Sequence, residues 1–265
     1  MKQKYGFALG GGGAKAFTQL GAMRELEKHK IKPSILAGTS MGAVNAVLYS
    51  AGYTVDEIIN FYAQSDILDM FGVKPSIKGL LSNKKLGLLV ERLCNLKGIY
   101  KLEDLLYPTY VVATDAKTNK TVTLKSGSIK FAIMATTSTL FFNPVKHENN
   151  MLLKDGCYTR NVPYDALSEI IKDKKLSGNY YFYAFDVIPT YKAGLLIPLN
   201  NFDKKVYIND RARKINFENK YFGTYLDLHN DINRTSFNKK SLQKGIEYGE
   251  NHIKTLYEKQ EEYTV

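Results

Sequence analysis

The chain contains only two cysteines, Cys94 and Cys157, among its 265 residues. That is too few for a disulfide framework. Their positions fit neither a C-x-x-C motif nor a zinc site. A reducing setting, the cytoplasm, is therefore expected. Runs of five or more Lys/Arg are also missing, so the charge excess is no polybasic tract. No repeat, low-complexity tract or Pro/Gly/Ser-rich linker divides the chain, and one domain over residues 1–265 is expected. The stretch Pro33–Val55 lacks charge and is long enough to span a bilayer. It carries Ser34, Thr39, Ser40, Asn45, Ser50 and Thr54 plus three glycines, which suits a buried strand, turn and helix better than a lipid-facing span. Met1–Lys4 is basic, Tyr5–Gly13 is uncharged, and Ala14-Lys15-Ala16 mimics a cleavage site. Four consecutive glycines deny that segment the apolar centre of a signal peptide.

What is present is ordinary for a globular chain: 44% hydrophobic and 24% charged residues. A chain of this length buries a large core without staples. Lys+Arg number 37 against 26 Asp+Glu, a formal charge of +11. Such a balance favours anionic partners: nucleic acid, a membrane surface or an anionic substrate. The plain alternative is a lysine-rich solvated surface. Nucleic acid has only the net charge behind it, because no basic–aromatic motif accompanies it.

Strand and helix signals alternate. Lys4–Leu9 reads as a strand before a glycine stop, and Ala14 to about Lys28 as a helix. Ser34–Gly38 reads as a second buried strand, followed directly by a helix over Met41–Ala51 and another over Asp56–Gln64. Asn83–Asn95 is amphipathic, with Leu86, Leu89, Val90 and Leu93 at helical spacing. Tyr110–Thr114 and Thr121–Leu124 read as strands about the turn Lys117–Lys120, Ile129–Thr137 as a helix and Met151–Lys154 as a short strand. Tyr180–Val187 reads as a core strand, and Lys239–Gln260 as a closing helix. This alternation predicts an α/β fold with a largely parallel sheet.

Three segments carry candidate chemistry. Gly10-Gly11-Gly12-Gly13-Ala14-Lys15 lies between a strand and a helix, where exposed N–H groups and a helix N-terminus can hold an anion or a developing oxyanion. A dinucleotide fingerprint fails there because position 16 is Ala and the second strand ends in Ala37-Gly38-Thr39 with no acid. A P-loop is absent, and a purely structural glycine turn remains open. Gly38-Thr39-Ser40-Met41-Gly42 is G-x-S-x-G between a strand and a helix, the setting of a nucleophile elbow. The alternative is a tight turn in a packed core. Leu153-Lys154-Asp155-Gly156-Cys157 ends a short apolar run. Asp-Gly is commonly a hairpin turn, but a carboxylate there can serve Ser40 as a general base. A Ser–acid–His order would instead use Ser40, then Asp155 or Asp186, then His229. Only one strand and one helix precede the elbow, and His229 sits in a polar stretch.

Taken together, these segments resemble the patatin-like phospholipases: a glycine loop, then G-T-S-x-G, then D-G-x far downstream. Leu102–Leu105 through Tyr110–Asp115, Ser126-Gly127 with Ala132–Ser138, Asn161-Val162-Pro163 and Ser241–Gly249 are similar to further family segments. The likeness covers roughly residues 5–190 and thins over about 190–265. It implies a three-layer α/β/α fold around a mostly parallel sheet. It implies Ser40 as nucleophile and Asp155 as its base, with Gly38, Gly42 and Gly156 as motif glycines. Gly10, Gly11, Gly12 and Gly13 would supply oxyanion amides, with Lys15 and Met41 beside the substrate. No metal or organic cofactor is required. The implied reaction cleaves carboxylic esters of phospholipids or lysophospholipids through an acyl-enzyme. Acyl transfer from the same intermediate, or lipid binding with weakened catalysis, are the alternatives.

Three positions depart from the family pattern: Ala16 stands for glycine, Cys157 for a small residue, and Thr139–Pro144 lacks a Pro-Gly. The basic charge suits peripheral contact with an anionic membrane. An insertion over about 70–106, with Phe71, Ile77, Leu80, Leu81 and the amphipathic helix, offers a lid or interfacial face. Core packing is the alternative for that helix. Oligomeric state is left open.

Overall fold

A computed structural model describes residues 3–65, 72–73, 81–139, 142–147, 149–188, 212–217 and 221–262. The strands are β1 (Lys4–Leu9), β2 (Pro33–Thr39), β3 (Gly72–Val73), β4 (Leu81–Ser82), β5 (Thr109–Asp115), β6 (Thr121–Leu124), β7 (Val145–Lys146), β8 (Leu152–Asp155), β9 (Tyr180–Asp186), β10 (Ala212–Phe217) and β11 (Tyr221–Asp227). The helices are α1 (Phe17–Lys28), α2 (Met41–Ser50), α3 (Val55–Gln64), α4 (Lys84–Leu96), α5 (Ile129–Thr136), α6 (Tyr164–Asp173) and α7 (Lys239–Glu262).

Nine strands form one sheet in the order β10-β11-β9-β1-β2-β5-β8-β7, with β6 also on β5. Its centre, β11-β9-β1-β2-β5, is parallel, and the antiparallel strands lie toward the edges. The centre reads as continuous apolar sequence because it is buried on both faces. Side-chain alternation sorts that sequence into two cores. Phe7, Leu9, Leu36, Val111, Ala113 and Phe185 face the layer that includes α1, α2, α4 and α5. Ala8, Ile35, Ala37, Tyr110, Val112, Phe182 and Ala184 face α6. The architecture is therefore α/β/α in three layers, as expected.

The junction at β5 positions the site. Val111 and Val112 pair with β2 and β6, and Ala113 and Thr114 pair with β6 and β8. Since β6 occupies one edge throughout, β2 and β8 share the other edge, end to end. Thr39 is opposite Val112 and Asp155 is opposite Ala113, so the ends of β2 and β8 abut. A Cβ on Gly156 would strike the Val112 carbonyl, which is why the chain can turn away there only with glycine.

Several sequence readings need revision. Ala14–Ala16 is a 3-10 turn rather than helix, because Lys15 N–H bonds back to the Gly12 carbonyl at 3.2 Å. Asp155-Gly156 is not a hairpin tip: Asp155 caps a 3-10 turn over Gly156–Tyr158. Helix α6 and strands β3, β4, β7, β10 and β11 have no counterpart in the sequence reading. The amphipathic helix α4 buries Leu86, Val90 and Cys94 completely against the core, while Leu89 and Leu93 are half-buried and Leu88 and Leu96 exposed. Phe71, Ile77 and Leu80, and Leu140 and Phe141 of the altered 139–144 segment, lie outside the described residues, as does 190–211 of the thin C-terminal part.

Candidate active site

Ser40 stands between β2 and α2 with φ 53 and ψ −129, a conformation that L-residues rarely adopt. Holding a non-glycine residue there costs roughly 1–3 kcal/mol, which the surroundings must offset. Neighbouring glycines make the turn fit. A Cβ on Gly42 would strike the Leu9 carbonyl, and one on Gly38 would strike Ala43. The Ser40 N–H donates to Thr136 Oγ1 at 2.8 Å, and that hydroxyl donates to the Val112 carbonyl at 2.6 Å. The strain is thus met by a buried bridge from α5.

The Ser40 hydroxyl donates to Asp155 Oδ2 at 2.7 Å. Asp155 is completely buried, and its other oxygen accepts the Cys157 N–H at 2.9 Å. Burial penalises its charge and pushes the carboxyl up to about 6, although the Cys157 amide and the Ser40 hydroxyl pull it down. The Asp155 N–H donates to the Ser138 carbonyl at 2.9 Å. One short segment, Thr136–Ser138, therefore braces both residues of the pair. Asn83, just before α4, donates to Met134 O (2.7 Å), Thr137 Oγ1 (3.1 Å) and Ser138 Oγ (3.0 Å), fixing that segment from behind.

The glycine loop passes beside this pair. A Cβ on Gly11 would approach the Ser40 Cβ to 2.9 Å. The Gly10 N–H donates to Phe185 O at 3.0 Å and that of Gly11 to Asn161 O at 3.3 Å. Gly12 and Gly13 amides have no such partner among the described residues. Gly13 has φ 58, the left-handed region, and its Cα packs against the Arg234 backbone. Underneath runs a buried polar chain. Tyr62 OH donates to Asn45 Oδ1 (3.0 Å), Asn45 Nδ2 to Gln19 Oε1 (3.1 Å), and Gln19 Nε2 to Gly10 O (2.6 Å). Ala16 is buried, and its carbonyl accepts from Asn45 Nδ2 at 3.1 Å.

The remaining candidates fall in distinct places. Met41 is buried in the core cluster at the start of α2. Lys15 is buried and its Nζ donates to the Asn230 carbonyl, tying the loop to the C-terminal part. His229 is not at Ser40. It lies between Asp227 (Nδ1 to Oδ1, 2.6 Å) and Asp186 (Nε2 to Oδ2, 3.4 Å). Burial opposes its charge, but the two aspartates outweigh burial and raise it to about 9. It is a cation at neutral pH and cannot accept a serine proton. Thr136 and Ser138 lie in the family-like segment Ala132–Ser138 but carry no role in the motif reading, and Asn83, Gln19 and Asn45 lie outside its motifs. Polar residues on otherwise apolar helix faces, such as Asn45 and Gln19, were the available signal.

The arrangement offers a hydroxyl on a buried carboxylate, beside unpaired backbone donors. Among the described residues no group of side chains suited to a metal ion is present, and no helix is long and apolar enough to cross a membrane.

A patatin-like phospholipase domain-containing protein of Caenorhabditis elegans is 26% identical over 175 residues, 62% of this chain and 16% of that protein. An NTE family protein of Mycobacterium tuberculosis is 27% identical over 169 residues, 63% of this chain and 46% of its own length. A lysophospholipase of Debaryomyces hansenii is 25% identical over 200 residues, covering 70% of this chain and 12% of that protein. The chain thus spans less than half the length of these relatives. VipD from Legionella pneumophila shares the fold, with a TM-score of 0.61 and 12% identity over 97% of this chain and 67% of that one. The model of the patatin-like phospholipase family matches residues 7–168. That stretch runs from β1 into α6 and holds the elbow, its carboxylate and the glycine loop in order, and the chain belongs to the patatin-like phospholipase family.

Proposed function

We propose that this chain is a serine lipid acyl hydrolase that cleaves carboxylic esters of phospholipids or lysophospholipids. The observation that carries the reading is the 2.7 Å hydrogen bond from a strained, buried serine to a buried carboxylate. Family membership supplies the substrate class. Ser40 Oγ attacks the ester carbonyl while Asp155 Oδ2 takes its proton. The carbonyl oxygen becomes an oxyanion, for which the Gly12 and Gly13 amides are the donors, aided by the positive end of α2. Collapse expels the alcohol, which takes the proton back from Asp155. Water, deprotonated by the same carboxylate, then releases the acid and restores Ser40.

The test is release of fatty acid from mixed phospholipid vesicles together with labelling of Ser40 by a fluorophosphonate. Label without fatty-acid release, and ester exchange when an alcohol is added, would turn the reading to acyl transfer. No label would overturn it.

Asp155 must be ionised to act as base. With its carboxyl near 6, kcat/KM should fall about tenfold per pH unit below that value and level off above it. A profile that turns near pH 4 would remove Asp155 as the base.

Thr136 acts through Ser40, as a positioning residue. Thr136→Val keeps the shape and removes the hydroxyl bridge. It should lower kcat roughly tenfold to a hundredfold with little change in KM, since small misplacements cost that much. Thr136→Ser should restore the rate. A change confined to thermal stability would reduce Thr136 to a packing role.

A further inference from the structure

The basic side chains beside the pair differ in one respect. Lys15 is spent on the Asn230 carbonyl, Arg160 pairs with Asp165 at 2.9 Å, and Lys154 lies over the Tyr158 ring at 4.4 Å. Arg234 has no side-chain hydrogen bond, ion pair or ring contact among the described residues, although it is half-buried. Its backbone is fixed at the glycine loop. The Arg234 carbonyl accepts the Ala14 N–H at 2.8 Å, and a Cβ on Gly13 would come within 3.3 Å of its Cα. Its charge reaches the other side of the pair: burial drives the Cys157 thiol well up, and Arg234 works against that push. Cys157 in turn donates its N–H to Asp155. Arg234 makes no ion pair with Asp155 itself, whose partners are the Ser40 hydroxyl and the Cys157 amide. The Arg234 backbone is thus anchored at the glycine loop, and its charge is felt at Cys157, next to the carboxylate.

We propose that Arg234 binds the phosphate of the lipid substrate and so selects phosphate-bearing esters over neutral ones. This rests on the hydrolase reading for the reaction, but not for the binding. A half-buried arginine with no carboxylate partner among the described residues is a costly arrangement unless an anion completes it. Guanidinium offers a planar fork of donors matched to phosphate oxygens. In a glycerophospholipid the phosphate lies a few bonds from the scissile carbonyl.

The experiment has a binding arm and a kinetic arm, with Arg234→Gln and Arg234→Lys beside the wild type. Calorimetric titration with octyl phosphate should show roughly tenfold to a hundredfold weaker binding in Arg234→Gln, the usual scale for a charge-assisted bond. Arg234→Lys should fall between, because it keeps the charge and loses the fork. In kinetics, the ratio of kcat/KM for a dioctanoyl phospholipid to that for dioctanoylglycerol should drop by a similar factor in Arg234→Gln. Equal octyl phosphate binding by wild type and both variants would overturn the proposal, whatever esters are cleaved. Equal losses on both esters would also overturn it. Inorganic phosphate binding as tightly as octyl phosphate would replace the lipid headgroup with free phosphate. Arg234-dependent octyl phosphate binding in a protein that cleaves no ester would keep this inference and remove the hydrolase reading.

Discussion

Ser40→Gly is expected to abolish ester turnover and to melt above Ser40→Ala, which lacks the same hydroxyl. Removing the nucleophile of an acyl-transfer enzyme costs roughly 10⁵–10⁶ in kcat. The stability gain has a separate origin. Ser40 holds φ 53 and ψ −129, a conformation open to glycine and unfavourable to a residue with a Cβ by about 1–3 kcal/mol. Glycine gives back about 1 kcal/mol through its freer unfolded chain. The net gain of about 1 kcal/mol over Ser40→Ala corresponds to roughly 2–4 °C for a domain of this size. Ser40→Ala is the control. It loses turnover equally but keeps the strain, so its melting temperature should stay below that of Ser40→Gly. Calorimetry and a p-nitrophenyl ester assay on the three proteins read both effects. Turnover in Ser40→Ala above roughly 1% of wild type would remove Ser40 as the nucleophile. Equal melting temperatures for the two variants would mean that the turn stores no strain.

Asp155→Asn is expected to lose about 10⁴ in kcat while making the protein more stable at neutral pH. Asparagine cannot take the serine proton, but its carbonyl can still accept the Cys157 N–H and its amide can still face Ser40. What disappears is a buried charge. The carboxyl keeps its proton to about 6 when folded, against an ordinary value of 3.8. Between those values the folded state binds more protons than the unfolded chain, so stability falls as pH rises through that window. Above it the ionised group costs about 3 kcal/mol. The melting temperature of Asp155→Asn should therefore match wild type near pH 4 and exceed it by roughly 5 °C or more at pH 7.5. A gap that is the same at both pH values would trace to packing rather than charge. Rapid turnover in the variant would call for another base, and His229, protonated between Asp186 and Asp227, is not available for that role.

These two residues show what a sequence makes legible. The elbow is local: a buried strand, G-x-S-x-G and a helix follow one another, and each signal predicts the next. The central strands β1, β2 and β9 announce themselves as apolar runs. Asp155 has no such local mark, because Asp-Gly also makes hairpin turns. Its role depends on the register of β8 against β5, which depends on residues far away. Helix α6 carries a readable pattern, Leu167, Ile170 and Ile171 on one face, directly after the Asn161-Val162-Pro163 motif. Strand β11 mixes aromatic, polar and glycine residues, since its place near the edge demands less apolar sequence. The braces of the site, Thr136, Ser138 and Asn83, are ordinary residue types that gain meaning only from three-dimensional neighbours.

The seam at β5, where the last residues of β2 and β8 meet, also bears on how the pair is assembled. Ser40 and Asp155 are 115 residues apart in the chain. Closing so long a loop is entropically slow, and pairing of this kind governs folding rates. The first two strands can meet early through the short α1 crossover. The pair exists only after β5 has joined β2 and β8 has docked on the vacant end of β5's edge. Regain of esterase activity during refolding therefore reports the docking of β8, and it should lag the recovery of helical signal. A chain cut before β8 would carry a complete elbow and no partner for it.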